Sequence, residues 1–553
     1  MPVMRDDVRP LGVVYTPSAV AAPMVELALA PFVRGKSAAE LLSLRVCDPA
    51  IGEGAFLVEV IEVLARSLVA VDGCEIAQAR QRVAGTCVFG ADVDPRAVDA
   101  ARAATGASAT ALVHGDALAM SWAETFPEVF AHGGFDVVVA NPPYIRQEWL
   151  ANKQMLQRFA SYDGVADLYV YFIELAHQLL RPHGRYCLIV PNKWLTAAYG
   201  RPLRELLAAK TSVDGIADLS RAPLFAGADA FPCIVWGTST PDRTTPVRAV
   251  RADATTPVAH ALARGGELVP RGRWGAAPWH LESGSERSLL DRMESAFPPL
   301  AEQIAGRPSR GVVTGCNRAF VIDRATRERL LEREPACAPL LRSFVKGRDI
   351  RPWRHVDEER FILLIDRGTS LDELPAVRGY LEQFRTQLEP RPATWSGEWR
   401  GRKPGSYSWH ELQDPVGPLV KSRAPRLLYQ DIQTAPACAL DDRGDVVPDT
   451  TVWMLPTDDR FLLAVLNSPL YGWYAKRRFP PALNGAVRPK LAYLTALPVP
   501  KLADADRREI GALVNKRLEP GISKGDAQKL HADLAKLVAE AYALSAAERA
   551  LIA

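Results

Sequence analysis

Four successive residues, Asn141-Pro142-Pro143-Tyr144, carry the densest chemistry in the chain. Asn141 offers a side-chain carbonyl as an acceptor, and a residue locked before proline offers a backbone carbonyl beside it. Tyr144 offers a flat aromatic face. Two acceptors and a stacking surface suit a planar group bearing an exocyclic NH2, which describes a nucleobase amine. Three carboxylates stand upstream at the ends of apolar runs: Asp48, Asp92 and Asp116. Asp48 is followed by Pro49-Ala50-Ile51-Gly52-Glu53-Gly54, where glycine lets the backbone approach a ligand closely. An acid at that turn repels a pyrophosphate but pairs with an ammonium. The third glycine of a dinucleotide fingerprint would fall at Leu57 and is absent. The pattern therefore favours an amino-acid nucleoside over NAD. Asp92 is suited to accept both ribose hydroxyls, and Asp116 to accept from an adenine amine.

These residues need strands to place them. Val46 to Asp48, Val88 to Pro95 with Asp92 near its carboxyl end, Leu112 to Ala117 with Asp116 near its own, and Phe135 to Ala140 before Asn141 read as short strands, each bringing a polar residue to its end. Helical patterns separate them, which gives an α/β, doubly wound, Rossmann-like domain with its ligands at the carboxyl ends of the strands. The two prolines after Ala140 end the fourth strand, because proline has no N–H for the ladder. Asp94 before Pro95 reads as a helix cap. A helix from Tyr169 to Leu180 and strands over 184–190 and 233–236 complete the domain, which is expected to span 1–240. Phe225 and Phe231, in a Gly/Ala-rich stretch, are candidates for a second stacking face.

Residues 241–290 are rich in Thr, Pro, Arg and Gly and read as a connector with one or two edge strands. Residues 291–501 read as a mixed α+β domain, and 502–553 as a helical tail. Cations interleave with aromatics in Lys346-Gly347-Arg348-Asp349-Ile350-Arg351 and again around Trp395, Trp399, Arg400, Arg402 and Lys403. That mixture suits phosphate contacts combined with stacking. With 67 Lys+Arg against 64 Asp+Glu, net +3, any surface for nucleic acid must be a local patch. The eight cysteines form no C-x-x-C pair, which argues against a zinc site or disulfide framework; no metal is expected. No signal peptide or long apolar span is evident, so a cytoplasmic protein without membrane attachment is expected.

The order of these stretches resembles the γ-class amino-DNA methyltransferases, of the TaqI-like and type IIG kind. Tyr15-Thr16-Pro17 resembles their motif X, Asp48 to Phe56 motif I, Asp92 motif II, Asp116 motif III and Asn141 to Tyr144 motif IV. Gly311 to Asp323, Gly347-Arg348-Asp349-Ile350, Asp431-Ile432 and Leu466 to Leu470 resemble the TaqI-like specificity domain. The resemblance implies transfer of methyl from S-adenosyl-L-methionine to the N6 amine of an adenine flipped out of double-stranded DNA. It implies a catalytic set of Asn141, Pro142, Pro143, Tyr144 and Phe225. The implied cofactor set is Tyr15, Thr16, Asp48, Ala50, Gly52, Gly54, Phe56, Asp92, Val93, Asp116 and Ala117. The implied DNA-binding set is Lys346, Arg348, Arg351, Trp395, Trp399, Arg400, Arg402 and Lys403. The chain departs from the family at Ile51, often Cys, at Glu53, commonly a small residue, and in lacking an aromatic after Asp116. It begins almost at motif X, so modification without cleavage is expected, by a monomer, with a separate restriction endonuclease or defence-complex subunit as partner. Alternatives stay open: methylation of cytosine N4, methylation of protein glutamine or RNA, and a DNA-binding component that needs a partner for activity.

Overall fold

The computed structural model describes residues 16–150, 153–220, 231–252, 257–264, 266–271, 274–482 and 485–552. The chain divides into two units, Met1–Gly284 and Ser285–Ala553. Among the described residues no helix is long and apolar enough to cross a membrane.

The first unit is built on one nine-stranded sheet. Its strands are β1 (Val46–Asp48), β2 (Val88–Asp92), β3 (Leu112–His114), β4 (Phe135–Ala140), β5 (Leu180–Pro191), β6 (Ser212–Asp218), β7 (Pro232–Thr238), β8 (Val247–Arg251) and β9 (Glu267–Val269). They lie in the order β3-β2-β1-β4-β5-β7-β6-β8-β9. The first five are parallel, and β7 runs antiparallel between β5 and β6. All six residues of β4 are buried, as a central parallel strand covered on both faces requires. Val137 and Val139 face a core shared with helices Ser18–Val33 and Ala55–Asp72. Val138 and Ala140 face a second core with helix Tyr169–Leu179. One polar residue interrupts β4. Asp136 accepts from the Arg45 backbone N–H at 2.7 Å and from Arg181 Nε at 2.6 Å, so its buried charge is paired.

One strand goes beyond the pattern read from sequence, and one expectation gains a place in the sheet. Strand β6 is additional; its Gly215 lies under the Trp236 indole of β7, where a β-carbon would collide with the ring. The stretch read as a connector with one or two edge strands supplies β8 and β9, which extend the sheet past residue 240.

The second unit holds two four-stranded sheets. One is β10 (Ser309–Arg310), β17 (Val452–Leu455), β14 (Arg426–Gln430) and β15 (Cys438–Asp441); the other is β11 (Val321–Asp323), β13 (Arg360–Leu363), β12 (Leu341–Val345) and β16 (Val447–Pro448). Strand β14 carries a buried ion pair, Arg426 Nε to Asp441 at 3.0 Å, with further bonds from Arg426 to the carbonyls of Gly444 and Val446. The helices Asp504–Leu518 and Lys524–Ala541 share a core with helices Arg460–Leu466 and Pro469–Arg478. Val514, Leu534 and Val538 are fully buried there, so these two helices are part of the unit's interior packing. In Lys524–Ala541 the buried positions Leu530, Leu534 and Val538 recur every fourth residue, one helical face.

Candidate active site

The strand order reverses direction between β1 and β4, and the polar residues singled out above sit at the carboxyl ends around that switch. Asp48 closes β1. It is buried, and its Oδ1 accepts from the Ala50 N–H at 2.9 Å. Burial pushes its carboxyl up to about 8, against the opposing pull of that N–H; the Asp92 charge adds to the rise.

The turn after Asp48 is held by the neighbouring strand. Ile51 N–H donates to the Ala91 carbonyl at 3.2 Å, and Gly52 N–H to Asp92 Oδ2 at 2.9 Å. Gly54 sits at φ 89° as the cap of helix Ala55–Asp72, and a β-carbon on it would lie 3.2 Å from Ala101 Cα. Gly52, at φ 50°, borders open space: a β-carbon there would meet no atom within 4 Å. A backbone turn with room above it and an acid beside it fits an amino-acid nucleoside. Ala50 is half-buried and Glu53 is exposed to solvent. Phe56 is buried in the core that backs the turn.

Asp92 joins two strand ends, since its Oδ1 also accepts from the Asp94 N–H at 2.9 Å. A carboxylate offers about four lone-pair directions, so two bonds do not exhaust it. Val93, next to it, is 54 % exposed, an apolar surface at the rim of the cleft. Asp94 caps the following helix through the Arg96 N–H. Asp116 turns its own loop by accepting from the Leu118 N–H at 3.0 Å, and Ala117 is buried beside it.

Asn141 follows β4 directly. Its Nδ2 donates to Thr16 Oγ1 at 3.0 Å, which ties the beginning of the described chain to the centre of the sheet. With Nδ2 so engaged, Oδ1 is the acceptor of the amide. Pro142 is buried and Pro143 half-buried. The Tyr144 ring meets the edge of Tyr169 at 6.4 Å between centroids and 79°, its hydroxyl reaches the Ile189 carbonyl at 3.5 Å, and burial raises its phenol above the ordinary range. Tyr169 in turn shares a hydrogen bond with the Tyr199 hydroxyl at 2.7 Å. The fold thus brings Thr16, Asp48, Gly52, Asp92 and Asn141 to one edge of one sheet. Tyr15 and Phe225 lie outside the described residues. Phe231 is half-buried, and its carbonyl accepts from Asn192 N–H at 2.7 Å.

Three supporting residues were not anticipated. Gly90 lies in β2 where any β-carbon would collide with the Asp48 carbonyl and Ile51 Cγ2. A glycine within a strand pattern is the signal that could have found it. Asp136 and Tyr169 leave no such mark, because their roles depend on neighbours distant in sequence.

The family model described as the Eco57I restriction-modification methylase matches residues 86–225, from β2 through Asn141–Tyr144 and beyond. The type II methyltransferase M.XhoI of Xanthomonas vasicola is 25 % identical over 544 residues, covering 93 % of this chain and 94 % of that protein. M.PaeR7I of Pseudomonas aeruginosa is 28 % identical over 412 residues, covering 70 % and 68 %. The chain is a relative of the type II restriction-modification methylases. The fold agrees with that of the type IIL restriction-modification enzyme MmeI, solved in complex with DNA, at a TM-score of 0.61 and 15 % identity, over 96 % of this chain and 74 % of that one.

In the second unit, the residues expected to meet DNA separate into two kinds. Arg348 is 73 % exposed and Arg351 is exposed, while Lys346 is half-buried beside the turn that Asp349 caps. Asp349 itself is buried and paired with Arg360. Trp395, Arg400 and Lys403 are exposed, and Trp399 is half-buried. Arg402 corrects the expectation. It is only 3 % exposed, and its guanidinium donates to the carbonyls of Leu388, Thr314, Glu411, Ser408 and Trp409. Its ring neighbour is Tyr407, at 4.5 Å. Arg402 is a bracket inside the unit and drops out of the DNA-binding set.

Proposed function

We propose that this methylase transfers the methyl group of S-adenosyl-L-methionine to the N6 amine of an adenine extruded from double-stranded DNA at a specific sequence. The observation that carries this reading is the Asn141 amide, held by Thr16 at the end of β4 beside the carboxylates of β1 and β2. The cofactor supplies an electrophilic methyl group on a sulfonium centre.

The chain's own groups do the rest. Asp48 pairs with the ligand ammonium, Asp92 accepts from the ribose hydroxyls, and the Gly52–Gly54 turn lets the backbone come close. Asp116 accepts from the adenine amine of the ligand, with the apolar surface of Val93 nearby. Tyr144 stacks on the extruded base, which offsets part of the roughly few kcal/mol lost in unstacking and unpairing. Asn141 Oδ1 and the Pro142 carbonyl accept the two N–H bonds of the target amine. This draws the nitrogen toward sp3 geometry and aims its lone pair at the methyl carbon. The nitrogen would bond the methyl carbon as the methyl–sulfur bond breaks with its electron pair left on sulfur, and one N–H proton would pass to solvent. Catalysis here is orientation plus fixed dipoles, with no covalent enzyme intermediate. The second unit reads the sequence, with Lys346, Arg348, Arg351, Arg400 and Lys403 on phosphates.

The test is base-resolved sequencing of modified adenine in DNA from cells expressing the chain, against an Asn141→Ala control. Methyladenine in one motif, absent from the control, supports the reading and supplies the recognition sequence. Methylcytosine in its place would redirect the chemistry to N4. Unmodified DNA, with methyl transfer instead to protein or RNA in a tritium assay, would overturn it.

A further inference from the structure

The loop spanning residues 390–402 is built with unusual care for a solvent-exposed segment. Pro390 and Arg402 pair as a bridge at its neck, with Arg391 N–H donating to the Arg402 carbonyl at 3.0 Å and Arg402 N–H to the Glu389 carbonyl at 3.0 Å. The Arg402 guanidinium clamps the neck from inside through the five carbonyls named above. Gly401 is crowded so closely by the Glu389 carbonyl and Trp399 Nε1 that no side chain fits, and Gly397 turns the tip at φ 111°.

What this frame presents is a tryptophan. Trp399 is fixed by Nε1 donating to the Glu389 carbonyl at 3.1 Å. Trp395 leans on it edge-on, 5.3 Å between centroids at 65°, with its own Nε1 donating to the Glu398 carbonyl at 3.1 Å. Both indole N–H groups are therefore satisfied within the loop, yet Trp395 is 50 % exposed. A single exposed apolar residue is ordinary on a protein surface. A pre-oriented indole on a clamped loop that also carries exposed Arg391 and Arg400, with exposed Lys403 next after its neck, is a different arrangement. It pairs a rigid π-face with cations, the combination that stacks on bases while contacting the flanking phosphates.

We infer that Trp395 is a stacking wedge for duplex DNA, entering between two adjacent base pairs while Arg391, Arg400 and Lys403 take the phosphates on either side. Trp399 and Arg402 are positioning residues that hold the wedge. The inference rests on the DNA reading above and adds a second point of helix distortion, separate from the extruded adenine. Unstacking one step bends the duplex and is cheapest at a mismatched or flexible step.

The experiment measures affinity of the full chain for a duplex bearing the recognition sequence, and for copies with a single mismatch moved along it. Wild type should bind more tightly at two mismatch positions, the target adenine and one other step. In Trp395→Ala the second enhancement should vanish, overall affinity should fall roughly tenfold as expected for one lost base–aromatic stack, and the slope of log affinity against log salt should stay unchanged. Trp395→Phe should restore most of both. A Trp395→Ala profile identical to wild type overturns the wedge. A uniform loss with a shallower salt slope also overturns it, by assigning the loop to phosphate contact alone. If wild type binds no duplex, the DNA reading itself fails; if only the enhancement at the adenine survives, that reading stands and the wedge falls.

Discussion

The two units place chemistry in opposite ways. In the first, Asp48, Asp92 and Asn141 each sit at or just past the end of a strand, and their positions follow from where an apolar run stops. Asp48, Asp92 and Asn141 cannot move without moving β1, β2 or β4, so the rigidity of the sheet becomes the precision of the site. In the second, exposed cations and Trp395 ride on loops, and precision is supplied locally by buried brackets such as Arg402 and the Asp349–Arg360 pair. On the proposed reading, one unit orients a single reacting atom. The other spreads charge and stacking over a surface.

The largest expected effect tests the first half of this contrast. Asn141→Ala should lower methyl transfer by about 100-fold or more, the scale of losing one fixed dipole at a reacting centre. Calorimetric binding of S-adenosyl-L-methionine should persist; its loss would show that the amide also holds the cleft together. Breaking a bracket should do the reverse. Arg402→Met removes the donor to five carbonyls, those of Leu388, Thr314 and Glu411 in buried bonds, and should destabilise the second unit by about 2–4 kcal/mol. Chemical denaturation should show the second unit melting early while cofactor binding by the first is kept.

Asp48 sharpens the comparison through pH. Its carboxyl is raised to about 8 by burial, with Asp92 adding to the rise. The unfolded chain therefore binds fewer protons than the folded one between the ordinary carboxylate range and about pH 8. Stability falls as pH rises through that window and flattens above it. Binding of an ammonium needs the ionised form, so cofactor affinity should climb over the same window and release a proton. Asp48→Asn should weaken binding on the order of tenfold and abolish the climb; titration calorimetry in buffers of different ionisation heat reads both. The smallest effect belongs to the exposed surface. Arg348→Ala should weaken DNA binding a few-fold, equally for all sequences, and reduce the salt slope by about one.

The legibility of the two units in sequence follows the same division. Buried parallel strands are apolar runs, and the residue that ends the run is the one at the cleft, so β1 to β4 and their polar termini could be read directly. Asp94 as a cap was equally local. Strand β6 was not legible, because Ser212 to Asp218 mixes polar residues with Gly215, which a strand tolerates here only to make room for Trp236. The edge strands β8 and β9 were legible as such in a stretch whose Pro, Gly and Arg content otherwise suggests a connector; their joining the first sheet was not. Arg402 was misread as surface because arginine usually is; its five carbonyl partners come from three separate parts of the chain. The pattern of the last two helices was visible, but the core that receives Leu534 and Val538 was not.

The hydrogen bond from Asn141 to Thr16 spans 125 residues of chain. It imposes an order on biogenesis. While the protein is being synthesised, Thr16 leaves the ribosome long before its partner exists, and the strands bearing the two carboxylates precede the one bearing the amide. A half-made chain can thus own the acidic cleft and still lack the group that would use it. The amide gains its partner only when the middle of the sheet is threaded in and the segment beginning at Thr16 is captured against it, so on the proposed reading the closing of that long loop completes the reacting site.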